Sequence, residues 1–339
     1  MEQVVTPHLQ RRSIDMEGVM MVYLDSENIK YVRLQGFNDI HDSDAASAFN
    51  FFPKKVPLPN IQMLVVVDSV FKNIFPSKKP EIIHSQLLVR ELELRNLHKL
   101  ESIGLQHTWV ASSNLTSLKV EGCASLKYLF TSSAAKCLVQ LEELHISNCE
   151  ELESLMLDYQ PHDDDHDVII FEKLKKLSLS QIPKLESFYK GNSTLKFPSL
   201  EKAEVTECNR LEYMFTFSTA KSLQSLSVMQ ISKCESLETV VLATQKADEP
   251  HELTFPNLEF LFLSELPKLG SFFTGKSTLK FPSYGFQVYI SQCKIMKTFS
   301  HGDVEAPKLW MVEIDGVCCS KDNLNAAVSQ QFEKRSSQH

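Results

Sequence analysis

The sequence predicts an α/β repeat solenoid, and three observations predict it. First, two stretches 84 residues apart use almost the same words: LKKLSLSQIPKLESFYKGNSTLKFPS at Leu174–Ser199 and LEFLFLSELPKLGSFFTGKSTLKFPS at Leu258–Ser283. Repetition at a fixed period marks a chain built from stacked, similar units. Second, the template L-x-x-L-x-L-x-x-(C/L)-x-x-L runs through most of the chain. Third, its L-x-L centre has the period of two that makes a short strand with one buried face. A lone strand cannot bury that face. Parallel strands stacked side by side bury a common spine.

The template starts weakly at Ile29, Val32, Leu34, Phe37 and Ile40. Ile61, Leu64 and Val66 follow, with Ser69 breaking the pattern at the ninth position. Val89, Leu92, Leu94, Leu97 and Leu100 fit well, as do Leu115, Leu118, Val120, Cys123 and Leu126. Further units begin at Leu141, Leu174, Leu200, Leu226, Leu258, Gly285 and Leu309; the last two are degenerate, and Gly285 stands where Leu is expected. About eleven units of 24 to 33 residues result, over residues 29–324. Residues 1–28 fit poorly and are expected to form a cap or partial repeat. Residues 325–339 are polar and are expected to be a disordered tail.

The remainder of each unit must cross back behind the strands. TSSAAKCLVQ (131–140) and TFSTAKSLQS (216–225) predict helical returns, because Ser and Thr cap while Ala, Lys and Leu favour helix. The Ile182-Pro183-Lys184 and Leu266-Pro267-Lys268 returns should be irregular. Units also group in threes, with Cys123, Cys149 and Ile182, then Cys208, Cys234 and Leu266, at the ninth position; Cys293 opens a third set. Acidic insertions at 157–170 and 242–254 read as solvated loops on one edge.

Lys and Arg total 35 against 43 Asp and Glu, a net charge of −8. That balance argues against a general nucleic-acid-binding surface. The N-terminus lacks the apolar core of a secretory signal, and no stretch is apolar enough to cross a membrane. The expected compartment is cytoplasmic, with the eight Cys as thiols.

Gly270 to Ser277, GSFFTGKS, matches the phosphate-binding pattern G-x-x-x-x-G-K-[ST], with Lys276 for the phosphates and Ser277 for Mg²⁺. The context opposes it. A helix should open at Lys-Ser, and Pro282 soon forbids one. The sister copy has Glu186 for Gly270 and Asn192 for Lys276. The ninth-position Cys lie whole repeats apart, unlike zinc ligands, and are expected to pack as a buried ladder. His162 to Asp167 could offer ligands to a divalent metal, or could simply be a solvated charge run. No hydrolase or metalloprotease motif is present, so no enzyme activity, cofactor or metal is expected.

The third, fifth and seventh template positions should face outward on the concave sheet. Early units place charges there, such as Glu91, Glu93, Arg95, Lys119 and Glu121. Later ones place Val228, Phe260, Phe262, Tyr289 and Met311, an apolar, aromatic-rich patch across four strands. Such a patch reads either as a partner-binding surface or as aromatics that stack on one another or tilt inward.

The template, its ninth-position Cys and the phrases LEELHISNCEELESL, FPSLEKAEVTEC and FPNLEFLFLSELPKL resemble the leucine-rich-repeat region of plant disease-resistance proteins, the nucleotide-binding class with an N-terminal coiled coil. The likeness covers about residues 29–324. It implies an irregular leucine-rich-repeat horseshoe with a parallel sheet on the concave face and mixed helix and loop returns on the convex face. It also implies a protein partner, either a pathogen effector or a host protein, and contact with a nucleotide-binding switch module. The chain shows neither coiled-coil heptads nor such a module ahead of its repeats, and reads as a C-terminal portion or truncated relative. Two alternatives stand beside this one: nucleotide binding through Gly270–Ser277, and a structural or decoy fragment.

Overall fold

The computed structural model describes residues 19–25, 28–38, 47–48, 61–75, 88–105, 110, 112–157, 168–191, 194–243, 252–320 and 323–337. The acidic insertions fall largely outside these residues, as does the His162 to Asp167 run. The chain divides into two compact units, 1–160 and 161–339. Each is a parallel-strand solenoid with little helix.

In the first unit, β1 (Val19–Asp25) pairs antiparallel with β2 (Asn28–Gln35). Parallel pairing then joins β2 to β3 (Met63–Val67), β4 (Glu91–Arg95) and β5 (Ser117–Glu121). After a return strand β6 (Tyr128–Thr131) and helix α1 (Ser132–Cys137), β7 (Glu143–Ser147) joins β5. The return strand β8 (Ser154–Leu157) pairs parallel with β6. Register sets Leu64, Leu92, Leu118 and Leu144 side by side, and all four are buried. Each such leucine stabilises the stack by about 1.5–3 kcal/mol. Helix α1 is shorter than its sequence suggests and is capped by Thr131, whose Oγ1 accepts the Ala134 N–H at 3.3 Å.

In the second unit the main sheet is β10 (Lys176–Ser180), β13 (Lys202–Thr206), β15 (Val228–Ser232), β18 (Phe260–Ser264), β21 (Phe286–Ser291) and β23 (Leu309–Ile314), all parallel. Short ribbons form its other sides. β9 (Val168–Ile170) pairs with β12 (Thr194–Lys196). β14 (Tyr213–Thr216), β16 (Thr239–Leu242) and β19 (Ser271–Phe273) make a second ribbon. β17 (Leu253–Thr254), β20 (Leu279–Lys280) and β22 (Val304–Glu305) make a third. The Pro183 and Pro267 returns are turns that lead into β11 (Ser187–Lys190) and β19. Helix α2 is a single turn, Phe217–Ala220, capped by Thr216.

The Phe three residues before each of Leu174, Leu200, Leu258 and Tyr284 faces inward. Phe171 stacks on Phe197 at 5.4 Å, and Phe255 on Phe281 at 5.6 Å. Phe281 in turn stacks on Phe286 at 4.4 Å. Phe286 also explains the degenerate unit at Gly285. Gly285 adopts φ +76°, and the register shifts so that Phe286 lies opposite Leu309. The glycine turns the chain, and the next residue supplies the missing core side chain.

Two repeated devices lie past the strand ends. At the eighth position the backbone is left-handed in ten units, with φ between 50° and 75°: Gly36, Asp68, Asn96, Gly122 and Asn148, then Gln181, Glu207, Lys233, Glu265 and Gln292. That turn aims N–H groups at the next strand, as in Asn96 N–H to the Glu121 carbonyl at 2.8 Å and Lys233 N–H to the Ser264 carbonyl at 3.0 Å. At the ninth position each buried thiol donates to the carbonyl two residues back: Cys149 to Ser147 at 3.3 Å, Cys234 to Ser232 at 3.3 Å, Cys293 to Ser291 at 3.4 Å. Ser69 does not break this pattern. It is buried, donates to the Val67 carbonyl at 2.8 Å and accepts the Phe37 N–H at 3.1 Å.

The polar stretch 325–339, expected to be disordered, is mostly helix. α3 spans Leu324–Ser336 and is capped by Asn323, whose Oδ1 accepts the Ala326 N–H at 3.0 Å. Leu324, Ala327 and Val328 are buried, while Arg335 donates to the Cys293 carbonyl at 3.0 Å and pairs with Asp315. A narrow apolar stripe in a polar helix is enough to cover the end of the last coil. Just before it, Asp315 (φ 49°) and Gly316 (φ 77°) form a tight hairpin to β24 (Val317–Cys318), which is antiparallel to β23.

Candidate functional site

Strands β18 and β21 alternate buried and half-buried residues, so their third, fifth and seventh positions face outward, as do Val228 and Gln230 of β15. Register brings Val228, Phe260, Gln287 and Met311 into one row. It brings Gln230, Phe262, Tyr289 and Glu313 into the next. Val228, Phe260, Phe262, Tyr289 and Met311 are all half-buried. Three of the rings form a parallel column: Phe260 and Phe262 lie 6.2 Å apart at 6°, Phe262 and Tyr289 4.8 Å apart at 9°. The Tyr289 hydroxyl donates to Gln287 Oε1 at 2.7 Å, which fixes the outermost ring. The aromatics thus stack on one another and remain half-open to solvent. They do not tilt into the core, because Leu261, Leu263, Val288 and Ile290 fill it.

Residues beside the patch were not legible as outward aromatics. Trp310, at the second position of its unit, is 63% exposed, and Tyr284, just before β21, is 80% exposed. Lys308 Nζ lies 3.4 Å over the Tyr284 ring. The available signal was an aromatic at Trp310, where units such as Glu201 and Glu259 place a charge.

Gly270–Ser277 has a structural account. Its third and fourth residues, Phe272 and Phe273, are core side chains at 0% exposure. Phe272 stacks on Phe299 at 5.0 Å. A Cβ on Gly275 would sit 2.2 Å from the Phe273 ring, just as one on Gly191 would meet Tyr189 in the sister copy. The glycine is there for a ring. No helix opens at Lys276; a bend leads into β20. Lys276 lines a wide polar cleft of about 670 Å³ with Ser300, His301, Gly302 and Asp303. Three of its amides are committed: Ser300 N–H to Asn325 Oδ1, His301 N–H to the Phe273 carbonyl and Gly302 N–H to Ser300 Oγ. A phosphate cradle needs those amides free.

The ninth-position thiols are set for packing. Burial pushes Cys149 up to about 11 and Cys293 up to about 12, and pushes Cys123 further. Cys208 is raised by its hydrogen bond with Cys234 and by burial. A metal ligand or nucleophile needs the thiolate, which burial disfavours at Cys123, Cys149 and Cys293. Among the described residues no cluster of three or more His, Cys, Asp or Glu could hold a metal ion. Among them, too, no helix is long and apolar enough to cross a membrane.

The family model for plant disease resistance protein RPS2-like leucine-rich repeats matches residues 42–150 and 151–235, more than half of the chain. The chain belongs to that family. Searches of curated proteins and of solved structures gave no match. Leucine-rich-repeat solenoids of this kind serve as protein-interaction modules, and the fold described above is of that kind. The family match ends at residue 235, so of the outward patch it includes Val228 but not Phe260, Phe262, Tyr289 or Met311.

Proposed function

We propose that this chain is a non-catalytic protein-recognition module of plant defence, acting in the cytoplasm. Its partner, a pathogen effector or a host protein, docks on the outward face of the second unit's main sheet. Val228, Phe260, Phe262, Tyr289 and Met311 make the contact. The parallel, half-open column Phe260–Phe262–Tyr289 carries the reading. Rigid aromatics held by neighbours lose little entropy on binding and are favoured anchors. A solenoid also gives each residue between the leucines a fixed place in a flat array, so specificity is written without touching the core.

The test compares the intact chain with a Phe262→Ala, Tyr289→Ala double variant in plant extract, using crosslinking and mass spectrometry. Specific partners should fall by about tenfold or more, in line with loss of two anchors. Melting should change little, since both rings are half-buried. An unchanged partner set would sink the assignment of this face.

A further inference from the structure

The charges around the ring column narrow the chemistry of the partner. We infer that the partner presents an arginine side chain to the Phe262–Tyr289 stack, with Glu313 as its counter-charge. This rests on the proposed docking face and adds what that face selects.

In the fifth-position row the order is Glu204, Gln230, Phe262, Tyr289, Glu313. Neighbouring strands lie about 4.8 Å apart, so Glu313 stands one rung from Tyr289. From Val228 to Asp315 the outward positions of the four strands carry two carboxylates and neither lysine nor arginine. Asp315 is already used, since it accepts the Gln292 N–H at 2.8 Å and pairs with Arg335. Glu204, at the far end of the row, is neutralised by Lys202 at 2.8 Å. The nearby cation at the strand starts, Lys308, is engaged over Tyr284. Among the described residues no ion pair engages Glu313.

A wholly apolar anchor on these rings would strip water from Glu313 without compensation. An acidic one would be repelled. A cation gains from the ring faces and from the carboxylate together. Arginine suits the site better than lysine: its planar guanidinium lies flat on stacked rings while its edge donates to a carboxylate. The net charge of −8 attracts a basic segment over longer range.

The probe is an acetylated tetra-arginine peptide, with tetra-lysine as the matched charge, titrated calorimetrically into the full chain at physiological ionic strength. Tetra-arginine should bind at least about fivefold more tightly than tetra-lysine. Glu313→Gln and Phe262→Leu, the second of which keeps the apolar bulk but removes the ring, should each weaken it by about fivefold. Glu93→Gln in the first unit should leave it unchanged, and melting curves confirm that each variant is folded. No binding, equal binding of the two peptides, or indifference to Phe262→Leu overturns the inference. The two proposals can fail separately. Extract partners lost in Phe262→Ala, Tyr289→Ala but kept in Glu313→Gln and Phe262→Leu leave the surface standing without its arginine. Partners that survive the alanine pair remove both.

Discussion

The two units share one template and present different faces. In the first, the outward row around β4 and β5 is charged: Arg95 pairs with Glu93 at 2.5 Å and Glu121 at 3.8 Å. Lys119, Glu121 and His145 line a polar cleft of about 300 Å³ beside them. In the second, the equivalent positions around β18 and β21 hold stacked rings. Beneath both, the leucine rows are equally buried. Surface ion pairs contribute little, about 0–1 kcal/mol, and bind water well. Stacked rings bind it poorly and leave apolar area to be covered. The fold is therefore indifferent to what stands between its leucines, which is what allows that array to diverge.

Leu118→Ala in the first unit and Leu261→Ala in the second should each destabilise by about 2–5 kcal/mol in chemical denaturation. A loss confined to one of them would show that the units do not share a core logic.

The ninth position gives the next largest effect. Cys149 is held at about 11 in the folded chain, above its ordinary value of 9.0. The thiol form is the one favoured by folding, so the stabilisation is whole below pH 9 and is lost as pH rises from 9 toward 11. It amounts to about 3 kcal/mol. Melting temperature should fall across that window, and less steeply in Cys149→Ala than in the intact chain. A parallel fall in both would remove the thiol from the explanation.

The smallest effect sharpens the contrast at the eighth position. The first unit meets its left-handed turns with Gly, Asp and Asn, the residues that tolerate them. The second meets them with Gln181, Glu207, Lys233, Glu265 and Gln292. Glu265→Asn should stabilise by about 0.5–1 kcal/mol, and Asn148→Gln should destabilise by a similar amount. Equal neutrality of both in denaturation curves would mean that the turn is held wholly by its N–H ladder.

Much of this molecule was readable from residues alone. The repeat phase, the strand at each L-x-L, the capped returns at Thr131 and Thr216 and the outward placement of Phe260, Phe262 and Tyr289 all follow from period and propensity. Ser69 breaks the hydrophobic pattern but keeps the rule of its position, which is a hydrogen bond to the carbonyl two residues back. α3 was missed because Leu324, Ala327 and Val328 are a thin stripe in a polar helix, although Asn323 and their spacing were the available signal. The sister copy already sets the GSFFTGKS letters aside, and burial adds that two of them, Phe272 and Phe273, are core. Period and composition are enough to set the coil: its spacing, its leucines and the order of outward side chains. Which neighbours those side chains meet depends on how the coils stack. Sequence fixes the position along a strand, but a ring stacks on the next strand, some 27 to 32 residues away, through a register that the whole core sets.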